Sequence, residues 1–262
     1  MRFHLVGTGT LVPDAERGPA GFLVEHAGVR VLVDGGSGTI GRLARAGIDA
    51  RTLDGGVYSH RHLDHTGDLA PLLFALRVGI DVPRTRDYPI WAGAGFVEFL
   101  DGLREVYGSW IVSTQFAVPV TELPLDGPGH AELPGGIRLD TLPARHTGGA
   151  LHLRFTSPDG ATVVFSGDTG PSEALCELAR GVDLLVTECA VPGPDVYDAH
   201  LCPDDVAALL ALARPRRAVV THFYPGMDEA KVLAQLSRGG VPVSRGVDGQ
   251  VIEVERGGGG LG

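Results

Sequence analysis

His60-Arg61-His62-Leu63-Asp64-His65, entered from the short strand-like run Gly56-Val57-Tyr58-Ser59, packs four metal-competent side chains into six residues. Imidazole and carboxylate are the borderline donors that Zn²⁺ and its neighbours prefer. His60 and His62 can converge on one ion from a sharp loop, which leaves Asp64 and His65 pointing elsewhere and suggests a second ion close by. The competing reading is a polar loop that collects three histidines by chance. It has to explain a donor density that core packing does not require.

A dinuclear site needs more donors than one loop supplies, and further candidates stand where strands end. His146 follows the apolar run that ends at Ala144, Asp168 follows Val163-Val164-Phe165-Ser166-Gly167, and His222 follows Ala218-Val219-Val220-Thr221. Each is the first metal-competent polar residue after its run. A ligand emerging from a strand end is held rigidly, as a preorganised site requires.

Around these positions the pattern alternates strands and helices. Strands are predicted at Phe3–Val6, Gly21–Glu25, Val29–Asp34 and Gly56–Ser59, and helices at Thr39–Ala46, Leu69–Val78 and Phe96–Tyr107. The second half repeats the scheme. Strands are predicted at Phe116–Val120, Ile137–Ala144, Leu151–Phe155, Thr162–Ser166, Val182–Thr187, Ala218–Thr221 and Val251–Val254, and helices at Ser172–Arg180, Pro203–Ala213 and Asp228–Leu236. Strand-rich halves, each finished by helices, imply two sheets packed face to face with helices outside. No linker divides them, so residues 1–255 read as one domain and 256–262, with four consecutive glycines, as a flexible tail.

Composition narrows the partners. The formal net charge is −10 and Lys231 is the only lysine. Phosphate contacts supply most non-specific affinity for nucleic acid, and with this acidic balance no extended basic surface is expected to make them. Two bound divalent ions would add about four local positive charges, enough to draw in a small anion. The three cysteines, Cys176, Cys189 and Cys202, form no C-x-x-C pair, which fits reduced thiols and a cytoplasmic location. No apolar run reaches membrane-spanning length.

Val33-Asp34-Gly35-Gly36, the H-x-H-x-D-H loop, His146, Ser166-Gly167-Asp168-Thr169 and Thr221-His222-Phe223 together resemble, in type and in order, the metallo-β-lactamase-fold hydrolases. Within that superfamily the chain resembles the ribonuclease Z branch. Gly7-Thr8-Gly9 with Pro13 and Arg17 is similar to its N-terminal turn, Thr187-Glu188-Cys189 to its H-E-[A/C] segment, and His200 to the histidine of its H-x-T segment. The resemblance implies an α/β fold, a four-layer αββα sandwich. It implies that His60, His62 and His146 bind one ion and Asp64, His65 and His222 the other. Asp168 would bridge the two, and Asp34 would orient the H-x-H loop. The two divalent ions are expected to be zinc, with manganese or iron open.

It further implies phosphoester rather than lactam hydrolysis, since many lactamases carry cysteine at the bridging position. A hydroxide held between two ions at neutral pH would be the nucleophile. Asp64, Glu188 and His200 are the expected catalytic residues, with Glu188 holding His200 as proton donor to the leaving group. The branch's long tRNA-gripping arm has no counterpart here, because the hairpin Leu151–Phe165 fills the interval between His146 and Asp168. Thr221-His222-Phe223-Tyr224-Pro225 lacks the usual arginine. A small anionic phosphodiester, such as a cyclic nucleotide, is therefore the expected substrate. The alternatives are a tRNA 3′-end endonuclease, or a lactonase, thioesterase or arylsulfatase on the same centre. The resemblance also allows a homodimer.

The remaining histidines read as bland: His4 and His26 as strand residues that are not ligands, His130 and His152 as surface residues. Gly35-Gly36-Ser37-Gly38 lacks the Lys-Ser/Thr of a phosphate loop and reads as a tight turn beside the metals. Trp91, Phe96, Tyr107 and Trp110 read mostly as core, and Cys189 and Cys202 as packed thiols.

Overall fold

Alternation along the first strand sets the layering. Phe3 and Leu5 face one way and His4 and Val6 the other, and both faces are buried. The computed structural model describes residues 1–81, 83–194 and 198–257. The glycine-rich tail predicted at 256–262 lies outside these residues apart from Arg256 and Gly257.

In chain order the first half holds β1 (Arg2–Gly7), β2 (Gly21–His26), β3 (Val29–Gly35), α1 (Thr39–Arg45), β4 (Gly55–Tyr58), α2 (Leu63–Thr66), α3 (Leu69–Val78), β5 (Ile90–Gly93), α4 (Phe96–Tyr107) and β6 (Val120–Leu123). The second half holds β7 (Gly129–Leu133), β8 (Ile137–Pro143), β9 (Leu151–Thr156), β10 (Thr162–Phe165), α5 (Glu173–Leu178), β11 (Leu184–Glu188), α6 (Pro203–Ala213), β12 (Ala218–Thr221), α7 (Glu229–Leu236), β13 (Val243–Arg245) and β14 (Gln250–Glu253).

One sheet runs β14-β1-β2-β3-β4-β5-β6 and the other β13-β12-β11-β10-β9-β8-β7. Each is built the same way. Antiparallel strands come first (β1, β2, β3 and β7, β8, β9, β10), then parallel strands joined through helices (β4, β5, β6 and β11, β12, β13). The apolar layer between the sheets takes Phe3, Leu5 and Phe22 from one and Leu153, Phe155 and Phe165 from the other. Phe22 spans it, with its ring 5.7 Å from Phe3 and 4.6 Å from Phe165. Truncating a buried aromatic costs about 3–5 kcal/mol, so this stack is a substantial part of what joins the layers. The outer faces are covered by α1, α3 and α4 on one sheet and α5, α6 and α7 on the other. Among the described residues no helix is long and apolar enough to cross a membrane.

Local chemistry fixes the helix starts. Ser172 Oγ accepts the Leu175 N–H, Asp228 accepts from Lys231, and α6 opens on Pro203, with Asp205 accepting the Cys202 N–H.

Several expectations need correction. The strand predicted at Phe116–Val120 is found at Val120–Leu123. Phe116 is buried by packing against the helical layer, while Ala117 bonds singly to Asp87 and Tyr88 rather than joining a ladder. The strands β5, β7 and β13 and the one-turn α2 carry too little apolar periodicity to have been predicted. Tyr107 and Trp110 are exposed rather than core, whereas Trp91 and Phe96 are buried.

What the architecture does for function is to align strand ends. The segments after β4, β8, β10, β11 and β12 all leave the same rim of the sandwich. Parallel sheets favour that rim for ligand sites.

Candidate metal centre

Asp34, the penultimate residue of β3, has a left-handed conformation, φ 55°. Its carboxylate accepts the Ser59 N–H and the Ser59 hydroxyl, both at 2.7 Å, and the His65 Nδ1–H at 2.7 Å. It therefore pins both ends of the H-x-H-x-D-H loop. Gly36 lets the two segments touch, because a Cβ there would lie 2.1 Å from the Asp64 carbonyl oxygen. The Gly35–Gly38 run is thus the tight turn beside the loop, and it donates the Gly38 N–H to Asp68.

Hydrogen bonding fixes the tautomers on the outer side of the first histidine group. Ser59 spends its proton on Asp34, so it accepts from His60 Nδ1 at 3.0 Å. His146 Nδ1 donates to the Ala199 carbonyl at 2.9 Å. Both Nε2 atoms are then left with lone pairs, and each lies 3.1 Å from His62 Nδ1. One proton on His62 can serve only one of them. Two donor atoms on a tetrahedral zinc stand about 3.3 Å apart, so this convergence fits a cation.

The second group repeats the logic deeper in the protein. His65 gives its Nδ1 proton to Asp34, and its buried Nε2 makes no well-directed hydrogen bond although Asp168 Oδ1 is 3.3 Å away. His222 Nε2 lies 3.3 Å from Asp64 and 3.5 Å from Asp168. His222 has φ 59°, a costly conformation for a non-glycine residue, and its N–H is held by the Thr8 carbonyl at 2.8 Å. Asp168 stands between the groups, 3.8 Å from His60 and 4.0 Å from His146. Burial disfavours its charge, but His222 and His65 outweigh burial and hold its pKa far below the carboxylate range.

His60, His62, His146 and Asp168, and separately Asp64, His65, Asp168 and His222, thus form two sets able to hold an ion. The second set is buried throughout, whereas His62 is exposed, so the centre opens on its first side. All seven residues singled out from sequence are brought together. When bound, divalent ions would be held by these two sets through a shared Asp168.

Glu188 and His200 are a buried pair rather than a surface salt bridge. His200 Nδ1 donates to Glu188 at 3.0 Å, and Glu188 also accepts the Thr169 N–H at 2.6 Å. Burial opposes charge on His200, but its bond to Glu188 together with the negative charges of Glu188, Asp168 and Asp64 outweighs burial and raises the imidazole pKa. The ring lies 5.0 Å from His146 and 5.8 Å from His222. Tyr224, which sequence reasoning passed over, sets its ring 6.0 Å from His200 and 6.1 Å from His222 at a partly exposed position. A cavity of about 700 Å³ lies elsewhere, over β1 and α1, and contains neither ligand set.

His152, expected at the surface, is fully buried. The alternation Leu151-His152-Leu153 does place it on the outer face of β9, but α5 covers that face. Its Nδ1–H donates to the Ser166 carbonyl at 2.7 Å and its Nε2 meets Ser172 Oγ at 3.0 Å. It thereby braces the turn that carries Asp168. Burial pushes its pKa down to about 4, against 6.5 ordinarily. The unfolded chain binds this proton first, so the contribution of His152 is complete above the unfolded value and is lost as pH falls toward 4, up to about 3 kcal/mol. Urea unfolding of metal-free protein between pH 7 and pH 4 is expected to show this slope, and His152→Gln is expected to flatten it. An equal slope in the variant would contradict the assignment. His4 is also buried, bonded to Glu25 at 3.0 Å, and stands in neither ligand set; His130 is exposed.

Comparison with known proteins is consistent with this geometry. Residues 29–223 match the Beta-lactamase superfamily domain. The chain is 32% identical over 243 residues to a protein named Ribonuclease Z from Mycolicibacterium paratuberculosis, covering 85% of this chain and 86% of that one. Among solved structures it superposes on the metallo-beta-lactamase fold protein YhfI from Bacillus subtilis with a TM-score of 0.82 at 20% identity, covering 96% and 99% of the two chains. A diphosphatase described as belonging to the PhnP family superposes with a TM-score of 0.71 at 22% identity, covering 97% and 98%.

Proposed function

Because the chain belongs to the metallo-β-lactamase superfamily, in its ribonuclease Z-like branch, we propose that it is a metal-dependent phosphodiesterase with a dinuclear centre. The observation that carries this reading is the buried Glu188–His200 pair beside both ligand sets. A phosphodiester needs a proton on its departing alkoxide, and a histidine held by a carboxylate supplies one.

When bound, divalent ions lower the pKa of coordinated water to about 7 and place positive charge at phosphoryl oxygens. The chain's own residues do the rest. Asp34 fixes the His65 tautomer and the loop entry, and the Ala199 carbonyl and Ser59 hydroxyl do the same for His146 and His60. Asp168 and Asp64 supply the negative charge that a pair of divalent cations requires. His200, held through Nδ1, offers Nε2 as the proton donor to the leaving oxygen. The expected substrate is a small anionic diester, because the chain carries a net charge of −10 and a short hairpin where an arm would grip tRNA.

One observation favours a second reading, cleavage at tRNA 3′ ends. The relative at 32% identity bears the name Ribonuclease Z and is matched over 86% of its own length, so it shares most of this compact outline. The metal-loaded protein assayed on bis-p-nitrophenyl phosphate, cyclic nucleotides, a 3′-extended pre-tRNA, a lactone and an aryl sulfate separates the readings. Small diesters are expected to turn over and the lactone and sulfate not. Cleavage of pre-tRNA with no activity on cyclic nucleotides would overturn the small-substrate reading in favour of the second. Turnover of the lactone or sulfate alone would overturn both.

A further inference from the structure

Each ligand set is tied to the body of the protein by a different charged side chain that is not itself a ligand. Arg61 stands between His60 and His62, and its guanidinium reaches two carbonyls. Nη1 donates to Gly95 at 3.1 Å and Nη2 to Gly148 at 3.0 Å. Gly148 lies just past His146, so one planar fork binds the loop carrying two ligands to the loop carrying the third, and both to the start of α4. The cradle fits a guanidinium closely. Gly95 has φ 90°, and a Cβ there would stand 3.0 Å from Nη1. A lysine ammonium, a single point of charge, does not span two such carbonyls.

Asp248 performs the matching task on the other side. Its Oδ1 accepts the Thr8 N–H and the Thr8 hydroxyl, both at 2.8 Å, and its Oδ2 accepts the Gly18 N–H at 2.8 Å. Thr8 in turn holds the His222 N–H through its carbonyl at 2.8 Å. His222 keeps a left-handed backbone only if its surroundings impose it, and this chain of bonds does so.

We propose that Arg61 and Asp248 are positioning residues that anchor the two metal positions independently. Arg61 serves the one held by His60, His62 and His146, and Asp248 the one held by Asp64, His65 and His222. The proposal rests on the two-ion reading of the centre and adds that the two positions can be weakened one at a time.

Partners of metal ligands typically change affinity by about 10- to 100-fold when removed. Equilibrium dialysis of the full chain against graded zinc, with metal analysis, tests the idea on wild type, Arg61→Ala, Arg61→Lys, Asp248→Asn and the double variant Arg61→Ala/Asp248→Asn. Wild type is expected to bind two ions tightly. Each single variant should keep one tight ion and bind the other about 10- to 100-fold more weakly, and the double variant should keep none tight. Thr8→Val, which removes one of Asp248's three bonds, should fall between wild type and Asp248→Asn, and it stands in if Asp248→Asn does not fold. Single variants that keep both ions at wild-type affinity, or that weaken both together, would overturn the proposal. So would a double variant no worse than either single. A wild-type chain that takes up no zinc would remove the two-ion reading itself and this proposal with it.

Discussion

Replacing Asp168 with alanine is expected to reduce tightly bound zinc from two ions to one or fewer and to lower kcat/KM on bis-p-nitrophenyl phosphate by on the order of 10³-fold, the scale seen when a preorganised electrostatic contact at a reacting centre is removed. Among the described residues, Asp168 alone is common to both ligand sets. Its two oxygens lie within 4.0 Å of ring nitrogens from His60, His65, His146 and His222. Without it the first set has three neutral donors and no anion, while the second keeps Asp64. The outer set should therefore empty first. Asp168→Asn separates charge from shape, since it keeps the side-chain volume and removes the anion, and it should approach the alanine variant in metal content. Metal analysis and steady-state kinetics on the same preparations check both, with near-ultraviolet circular dichroism to confirm packing. Two ions retained, with a rate within a few-fold of wild type, would show that Asp168 does not bridge.

The second large effect is selective. His200→Ala is expected to cost about 10²- to 10⁴-fold in kcat on a diester with an alkoxide leaving group, the range for a lost general acid. On bis-p-nitrophenyl phosphate the loss should be less than about tenfold, because a nitrophenolate departs without a proton. Glu188→Gln should lie between, since it still orients the ring but no longer stabilises its charged form. Both variants should keep two ions. That last measurement matters because Glu188, His200 and His222 also lie close enough together to hold a metal. Loss of an ion from His200→Ala would make His200 a ligand, and an equal loss of rate on both leaving groups would remove its role as donor.

The centre was legible because metal chemistry leaves few alternatives at six consecutive positions, and because the remaining donors directly follow apolar runs. The long helices α3, α4 and α6 were legible residue by residue, since each presents an apolar face over several turns. Elements whose existence depends on distant partners were not. β5 is a four-residue strand that exists by pairing with β4 and β6, and β7 is a polar edge strand that exposes His130 and Glu132. His152 shows the same limit at one residue. Alternation tells which face a side chain takes, and says nothing about whether a helix will later cover that face. The left-handed backbone of Asp34 and His222 was not legible either, because Asp and His take that conformation more often than most residues but far less often than glycine, so the residue type alone does not mark it.

The shared rim of strand ends divides the labour within the molecule. The strands supply rigidity and the loops at their ends supply chemistry, so the ion cage keeps its register through the frame beneath it, including β5 and the start of α4 to which Arg61 is tied. A change far from the centre that shifts one strand end by a fraction of an ångström would therefore be felt at the donor atoms, because each donor inherits its position from the strand behind it.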